Sequence, residues 1–270
     1  MAAQQGFEYE KNVSKILKKK GLVKSDFEPV GAAHDRADLE LYWNKDTINV
    51  ELKIEAASGG SLALKWDGKK PKGKRWGFSD VSGDDEKQFL ADLAESCGAL
   101  DKLNKEWSSV PAKFASENSR DEKEKLLASI WKSAKDRESK KKVYQLELTK
   151  FKEINEKLPG KVIADYYEKK KTYYINVGTN GFYLFGKKDP NKINDNCKKK
   201  KLDLVPSFSD AADVKYRVRV QDKGGGNFQY TFELSFSIKK SNSSPYNIGP
   251  ITGGGNVSII EKNLNINCFM

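Results

Sequence analysis

The stretch ADLELYWNKDTINVELKI, residues 37–54, decides the fold. Ala37 to Trp43 alternates apolar and polar side chains, Asn44 to Asp46 has turn character, and Thr47 to Ile54 alternates again, so the pattern predicts a β-hairpin. Successive strand side chains point to opposite faces, which puts Asn49, Glu51 and Lys53 on one face and Val50, Leu52 and Ile54 on the other. On the first strand Asp38, Glu40 and Tyr42 oppose Ala37, Leu39, Leu41 and Trp43. A hairpin that joins the apolar faces therefore also gathers Asp38 beside Glu51 and Lys53.

Two carboxylates and a lysine in one place suit phosphodiester hydrolysis. Hard carboxylate oxygens hold Mg²⁺, which polarises a phosphoryl group and lowers the pKa of a bound water. On this expectation Mg²⁺ is the cofactor and Asp38 and Glu51 are its ligands. Lys53 orients the water or stabilises negative charge developing on the phosphate. The plainer alternative is a solvated hairpin whose outer face carries cross-strand salt bridges.

Upstream, GFEYEKNVSKILKKKG, residues 6–21, sets Phe7, Val13, Ile16 and Leu17 on one helical face, with Gly21 as the stop. The order of a helix glutamate, an acidic residue, and Glu-x-Lys on an apolar strand resembles the PD-(D/E)xK nuclease superfamily. Restriction endonucleases and archaeal Holliday junction resolvases belong to it. The resemblance covers residues 6 to about 66. It implies a restriction-endonuclease-like α/β core, a mixed β-sheet flanked by helices, in which a first-helix glutamate assists metal binding. That residue is placed at Glu10, with Glu8 as the competing candidate. Ala37 stands where a proline often precedes the aspartate, so Asp35 in HDRAD is kept beside Asp38. The tripeptide alone carries no weight, since Glu138/Lys140 and Glu168/Lys170 repeat its spacing.

Downstream, SGGSLALKWDG puts Lys65 on a short apolar strand, and LKWDGKKPKGKRWGF, residues 64–78, adds Lys69, Lys70, Lys72, Lys74 and Arg75 around Trp66 and Trp76. Its glycines and proline predict a loop, in which basic groups neutralise phosphates and the Trp76 indole stacks on a base. In VKYRVRVQ, Arg217 and Arg219 share a strand face and are shaped to grip guanine edges or phosphates bidentately. Double-stranded DNA is the expected partner, and cutting both strands with one centre per chain calls for a homodimer.

Composition bounds these readings. Among 270 residues, 49 Lys and Arg against 38 Asp and Glu give +11 and a pI near 9.2, which favours a polyanionic partner, although solvated lysine-rich faces explain it as well. The single histidine excludes histidine-based nucleases and zinc fingers. Three scattered cysteines, Cys97, Cys197 and Cys268, suggest reduced thiols in a cytoplasmic protein. No apolar run is long enough for a membrane span. Asp84, Asp85 and Glu86 read as the acidic start of a helix rather than a metal cluster. The glycine clusters at 224–226 and 253–255 lack a phosphate-loop signature.

The expected organisation is a nuclease core over residues 1–110, a helical region over 111–160, and a strand-rich, DNA-contacting region over 161–270. Helices are expected from Asp84 to Leu103 and from Glu122 to Leu158. Strands follow in KTYYINVG, GFYLFG, VKYRVRVQ and FQYTFELSFSI, with one more closing the chain. The function implied is Mg²⁺-dependent endonucleolytic hydrolysis of DNA by a type II restriction endonuclease. A structure-specific junction or repair nuclease and a non-catalytic nucleic-acid-binding protein are the alternatives.

Overall fold

Tyr9, Val13, Ile16 and Leu17 recur at helical spacing and are all buried, so α1 (Ala2–Lys19) forms with one stripe in the core. Lys18 and Lys19 complement the negative end of its dipole, and Gly21, at φ +69°, takes the left-handed turn that ends it. The computed structural model describes residues 2–29, 37–54, 57–68, 75–79, 81–116, 118, 121–149, 151, 153–197, 200–202, 211–237, 244–251, 256–267 and 269. The chain forms an α/β fold of two compact units, one from residues 1–57, 157–213 and 236–270, the other from 58–156 and 214–235.

In the first unit, β1 (Leu39–Trp43) and β2 (Asp46–Lys53) form the expected hairpin, with Leu39 opposite Val50 and Leu41 opposite Ile48. β2 pairs in parallel with β6 (Thr172–Val177), setting Glu51 beside Ile175 and Lys53 beside Val177. β6 pairs antiparallel with β7 (Gly181–Leu184), which completes a mixed sheet in the order β1-β2-β6-β7. Parallel neighbours need a long crossover. Here the connection from β2 to β6 contains nearly half the chain, including most of the second unit.

The two faces of this sheet are covered differently. Leu39, Leu41, Ile48, Val50, Leu52 and Tyr174 share an apolar cluster with Tyr9, Val13, Ile16 and Leu17 of α1 and Ile260 of α8 (Val257–Asn263). Strand alternation points Ile175, Val177 and Tyr183 the other way, under α6 (Gly160–Lys169), where Tyr167 stacks on Phe185 at 3.9 Å between ring centroids. Glu51 and Lys53 belong to this second face.

The second unit contains a five-stranded sheet in the order β4-β3-β9-β8-β5, built from β3 (Ala57–Trp66), β4 (Trp76–Phe78), β5 (Ile154–Pro159), β8 (Ala211–Asp222) and β9 (Phe228–Ser237). Its inner face is aromatic. Trp76 packs edge-on to Trp66 at 5.0 Å and stacks on Trp107 at 4.3 Å, while Phe232 stacks on Tyr216 at 5.1 Å. Asp84 caps α2 (Asp85–Ser96) by accepting from Lys87 N, the helix-start role expected of it. From α3 (Ala99–Glu106), the Asn104 amide bonds both the N–H and the C=O of Trp76 and so covers part of the β4 edge. In the helical pair α4 (Glu122–Ser133) and α5 (Arg137–Leu148), Glu147 accepts from Ala112 N and Tyr230 Oη.

Several expectations are corrected. The helical stretch from Glu122 stops at Leu148 and gives way to β5. KTYYINVG forms the expected strand β6, but an unanticipated helix, α6, precedes it, because Ile163, Tyr166 and Tyr167 recur at helical spacing and their burial outweighs the strand preference of β-branched and aromatic residues. Among the described residues, the closing element is α8, capped by Asn256, instead of the expected strand. Cys97 is a free thiol, but Cys197 is disulfide-bonded. Pairing depends on spatial approach, which cysteine spacing along the chain does not reveal. Among the described residues no helix is long and apolar enough to cross a membrane.

Candidate active site

The hairpin register sets up the cluster. Leu39 opposes Val50, so one further step brings Asp38 to Glu51. Lys53 Nζ lies 2.6 Å from Glu51 Oε1 and 3.1 Å from Asp38 Oδ2. Leu52 N donates to the same Asp38 oxygen at 2.9 Å, which fixes that carboxylate against β2. The side chains of Lys53, Asp38 and Glu51 are 18 %, 12 % and 8 % exposed. One nearly buried ammonium thus bridges two carboxylates from neighbouring strands.

Burial at this depth penalises every charge, and the cluster answers by mutual interaction. Burial, then Asp38, pushes the Glu51 carboxyl up, while Lys53 and Lys170 oppose the rise. Burial favours loss of the Lys53 proton, but Glu51 and Asp38 outweigh it and hold the ammonium well above its ordinary range.

The third carboxylate is Glu10. Its carboxyl is pushed up to about 8, first by burial and then by Asp38, with Lys53 opposing and Glu51 adding to the rise. Its Oε2 is buried without a hydrogen-bond partner. Glu8 lies on the exposed side of α1, so Glu10 is the helix carboxylate turned to the cluster. The adjacent Tyr9 holds that turn of α1 in place by donating to Gly249 O at 2.7 Å and accepting from Asn176 Nδ2 at 3.2 Å.

Three carboxyl groups therefore act on one another around a single bridging ammonium, and burial together with Asp38 keeps the proton on Glu10 to about pH 8. Among the described residues no three acidic, histidine or cysteine side chains close into a ready-made metal cage. A magnesium ion does not require one, since it is held through one or two carboxylates and fills its remaining positions with water and phosphate oxygens. Asp38 and Glu51 supply that donor set, and the unpartnered oxygen of Glu10 adds a third hard donor nearby.

The second unit carries the other candidates. Trp66, Tyr216, Tyr230 and Phe232 face its aromatic core, so alternation puts Lys65, Arg217 and Arg219 together on the opposite sheet face, with Lys215 beside them. Arg217 and Arg219 both pair with Glu233 of β9, at 3.2 and 2.7 Å, and keep 37 % and 53 % of their side-chain surface exposed. Lys215 pairs with Glu153 at 3.0 Å.

The expectation for Trp76 is corrected. It is 2 % exposed, its indole Nε1 donates to Trp107 O, and its ring is core, leaving no face for a base. Arg75 sits with its guanidinium 5.7 Å from the Trp66 ring. The anticipated open loop starts and ends as strand, with Trp66 opposite Trp76 in β3 and β4. Asp35, Lys69, Lys72 and Lys74 lie outside the described residues.

Two residues near the cluster are not evident from sequence. Tyr9 reads only as a helix aromatic, and its partners, Asn176 and Gly249, are 167 and 240 residues away. Lys170 falls in the Glu168/Lys170 tripeptide that seemed without meaning, and its one signal is a position just past α6, immediately before β6. No family model, no curated protein and no solved structure matches this chain.

Proposed function

We propose that this protein is a Mg²⁺-dependent endonuclease that hydrolyses DNA phosphodiester bonds, with Asp38, Glu51, Lys53 and Glu10 as its catalytic group. The observation that carries this reading is the Lys53 ammonium shared between Asp38 and Glu51, with Glu10 raised beside them. A surface salt-bridge network gains little from burial. Two carboxylates in contact with one nearly buried lysine, with Glu10 in charge interaction with them, in a chain of net charge +11, are better explained by a polyanion brought to a cation-assisted site.

Asp38 and Glu51 would hold the metal, which when bound supplies Lewis acidity toward a phosphoryl oxygen and a water of lowered pKa. Leu52 N keeps Asp38 aimed at the site through its hydrogen bond. Lys53, held between the two carboxylates, would orient the attacking water and stabilise charge developing on the phosphate. Glu10, which keeps its proton to about pH 8 in the metal-free protein, would supply a further oxygen ligand once a bound cation displaces that proton.

A mixed sheet with a helix on each face, one of them carrying Glu10, agrees with the restriction-endonuclease-like core that the motif implies. The cationic sheet face of Lys65, Lys215, Arg217 and Arg219 gives the DNA backbone a place to bind, and a type II restriction endonuclease is the specific form proposed.

Incubation with plasmid and Mg²⁺, comparing wild type with Asp38→Ala and Lys53→Ala, tests the proposal. Discrete fragments lost in both variants support a restriction enzyme. Nicking of branched substrates alone supports a structure-specific nuclease. No cleavage of plasmid, branched DNA or RNA with any divalent metal sinks the nuclease reading.

A further inference from the structure

Lys170 follows α6 directly, and Lys171, at φ +53°, makes the left-handed step that leads into β6. β6 lies parallel to β2, with Thr172 beside Asn49 and Ile175 beside Glu51. The end of α6 is thereby tied to the strand that carries Glu51 and Lys53, on the sheet face where those two residues point. The Lys170 ammonium lies 5.6 Å from the ring centre of Tyr166 and 6.0 Å from that of Tyr167. Both tyrosines are buried, and Tyr167 is clamped against Phe185. The rings make a rigid support that directs a long, otherwise mobile side chain.

Lys53 and Lys170 relate to Glu51 in different ways. Lys53 is locked between two carboxylates and nearly buried, so its charge is committed inside the cluster. Lys170 is only half-buried, and its positive charge acts on Glu51 from the α6 side. A nucleic-acid strand delivering a phosphate to Asp38 and Glu51 brings negative charge to a place already rich in it. A second cation whose charge reaches Glu51 offsets that repulsion.

We infer that Lys170 is a substrate-binding residue of the Glu51 site, contacting a backbone phosphate of the bound nucleic acid and so setting the scissile phosphodiester against Asp38 and Glu51. This rests on the nuclease reading above. The contact is to phosphate, so it holds the strand without reading its sequence.

The test measures both binding and cleavage. Binding of a fluorescently labelled DNA duplex is followed at several salt concentrations in the Lys53→Met background, which cannot turn over, with and without Lys170→Gln. Loss of one phosphate contact is expected to reduce the slope of log affinity against log salt by about 0.9, equally for unrelated duplex sequences. With Lys53 intact, Lys170→Gln is expected to raise KM more than it lowers kcat, and Lys170→Arg to restore most of the loss. Unchanged duplex affinity and salt slope in Lys170→Gln, with wild-type cleavage intact, overturns the inference and leaves the nuclease reading standing. So does a weakened Mg²⁺ requirement with duplex affinity unaltered, because Lys170 then only balances the charge of Glu51. A wild-type protein that neither binds nor cuts DNA overturns both. Melting temperatures of the variants confirm that a partly exposed position just past a helix has not unfolded the protein.

Discussion

Lys53 Nζ sits 2.6 Å from Glu51 Oε1 while also contacting Asp38 at 3.1 Å, so one ammonium neutralises two carboxylates drawn from adjacent strands of a hairpin. Removing it leaves like charges facing each other at low exposure. In the presence of a chelator, Lys53→Met is expected to lower the unfolding free energy by about 3 kcal/mol, the size of breaking a buried ion pair. Urea denaturation measures this. Added Mg²⁺ should restore much of the loss, because a divalent cation replaces the missing charge, and equal stability of the two proteins in chelator would argue against a strained carboxylate pair.

The raised Glu10 carboxyl has a consequence for metal-free protein. Folded, the group keeps its proton to about pH 8, whereas in the unfolded chain it releases it near the ordinary carboxylate value of 4.5. Between those limits the native state binds more protons, so the stability this group contributes is full below about 4.5 and is lost as pH rises through about 8. Burial raises Glu51 in the same direction. Chemical denaturation in chelator across this range should show the decline, and Glu10→Gln should flatten it. A profile identical in the two proteins contradicts the burial of Glu10 against Asp38.

Gly249 is where the chain passes Tyr9 most closely. A Cβ added there would lie 2.7 Å from Tyr9 Oη and 2.7 Å from Val13 Cγ2. Gly249→Ala should therefore push α1 outward, at an overpacking cost of about 2 kcal/mol. Because Glu10 follows Tyr9 on the same turn, the substitution should also lower cleavage, acting through α1. A thermal melt and a rate assay on the same preparation check both effects.

On the cationic sheet face, Glu233 holds Arg217 and Arg219 at once. Arg219→Ala is expected to weaken DNA binding and reduce the salt slope by about 0.9. Glu233→Gln, which removes the competing carboxylate, should strengthen non-specific binding. Trp76→Phe is expected to destabilise the fold through lost packing on Trp107 and to leave the affinity of the folded fraction unchanged. Fluorescence anisotropy with labelled duplex separates the three variants.

The hairpin and its cluster were legible because strand alternation and a two-residue turn are local, and the apolar face left one register available for Asp38, Glu51 and Lys53. Beyond them lay what depends on distant chain. β6, which flanks β2, is more than a hundred residues away in sequence, and the intervening chain forms most of a separate unit. Trp76 looked like a surface residue because lysines and glycines surround it, yet Trp107 and Asn104, near in space only, draw it inward. α6 was obscured by tyrosines and branched residues that suit strands equally well, and with it went Lys170.

On the proposed function, Glu51 and its partners cut DNA with the help of a divalent cation. The most direct measurement is single-turnover cleavage of an end-labelled duplex as Mg²⁺ is titrated, with wild type and Glu51→Gln compared at equal bound fraction. Wild type should cleave with a saturable dependence on Mg²⁺, and Glu51→Gln should bind the duplex but lose about 100-fold or more in rate, the scale of removing a group that stabilises transition-state charge. Cleavage by Glu51→Gln at the wild-type rate, or by wild type at an undiminished rate in chelator, would contradict it.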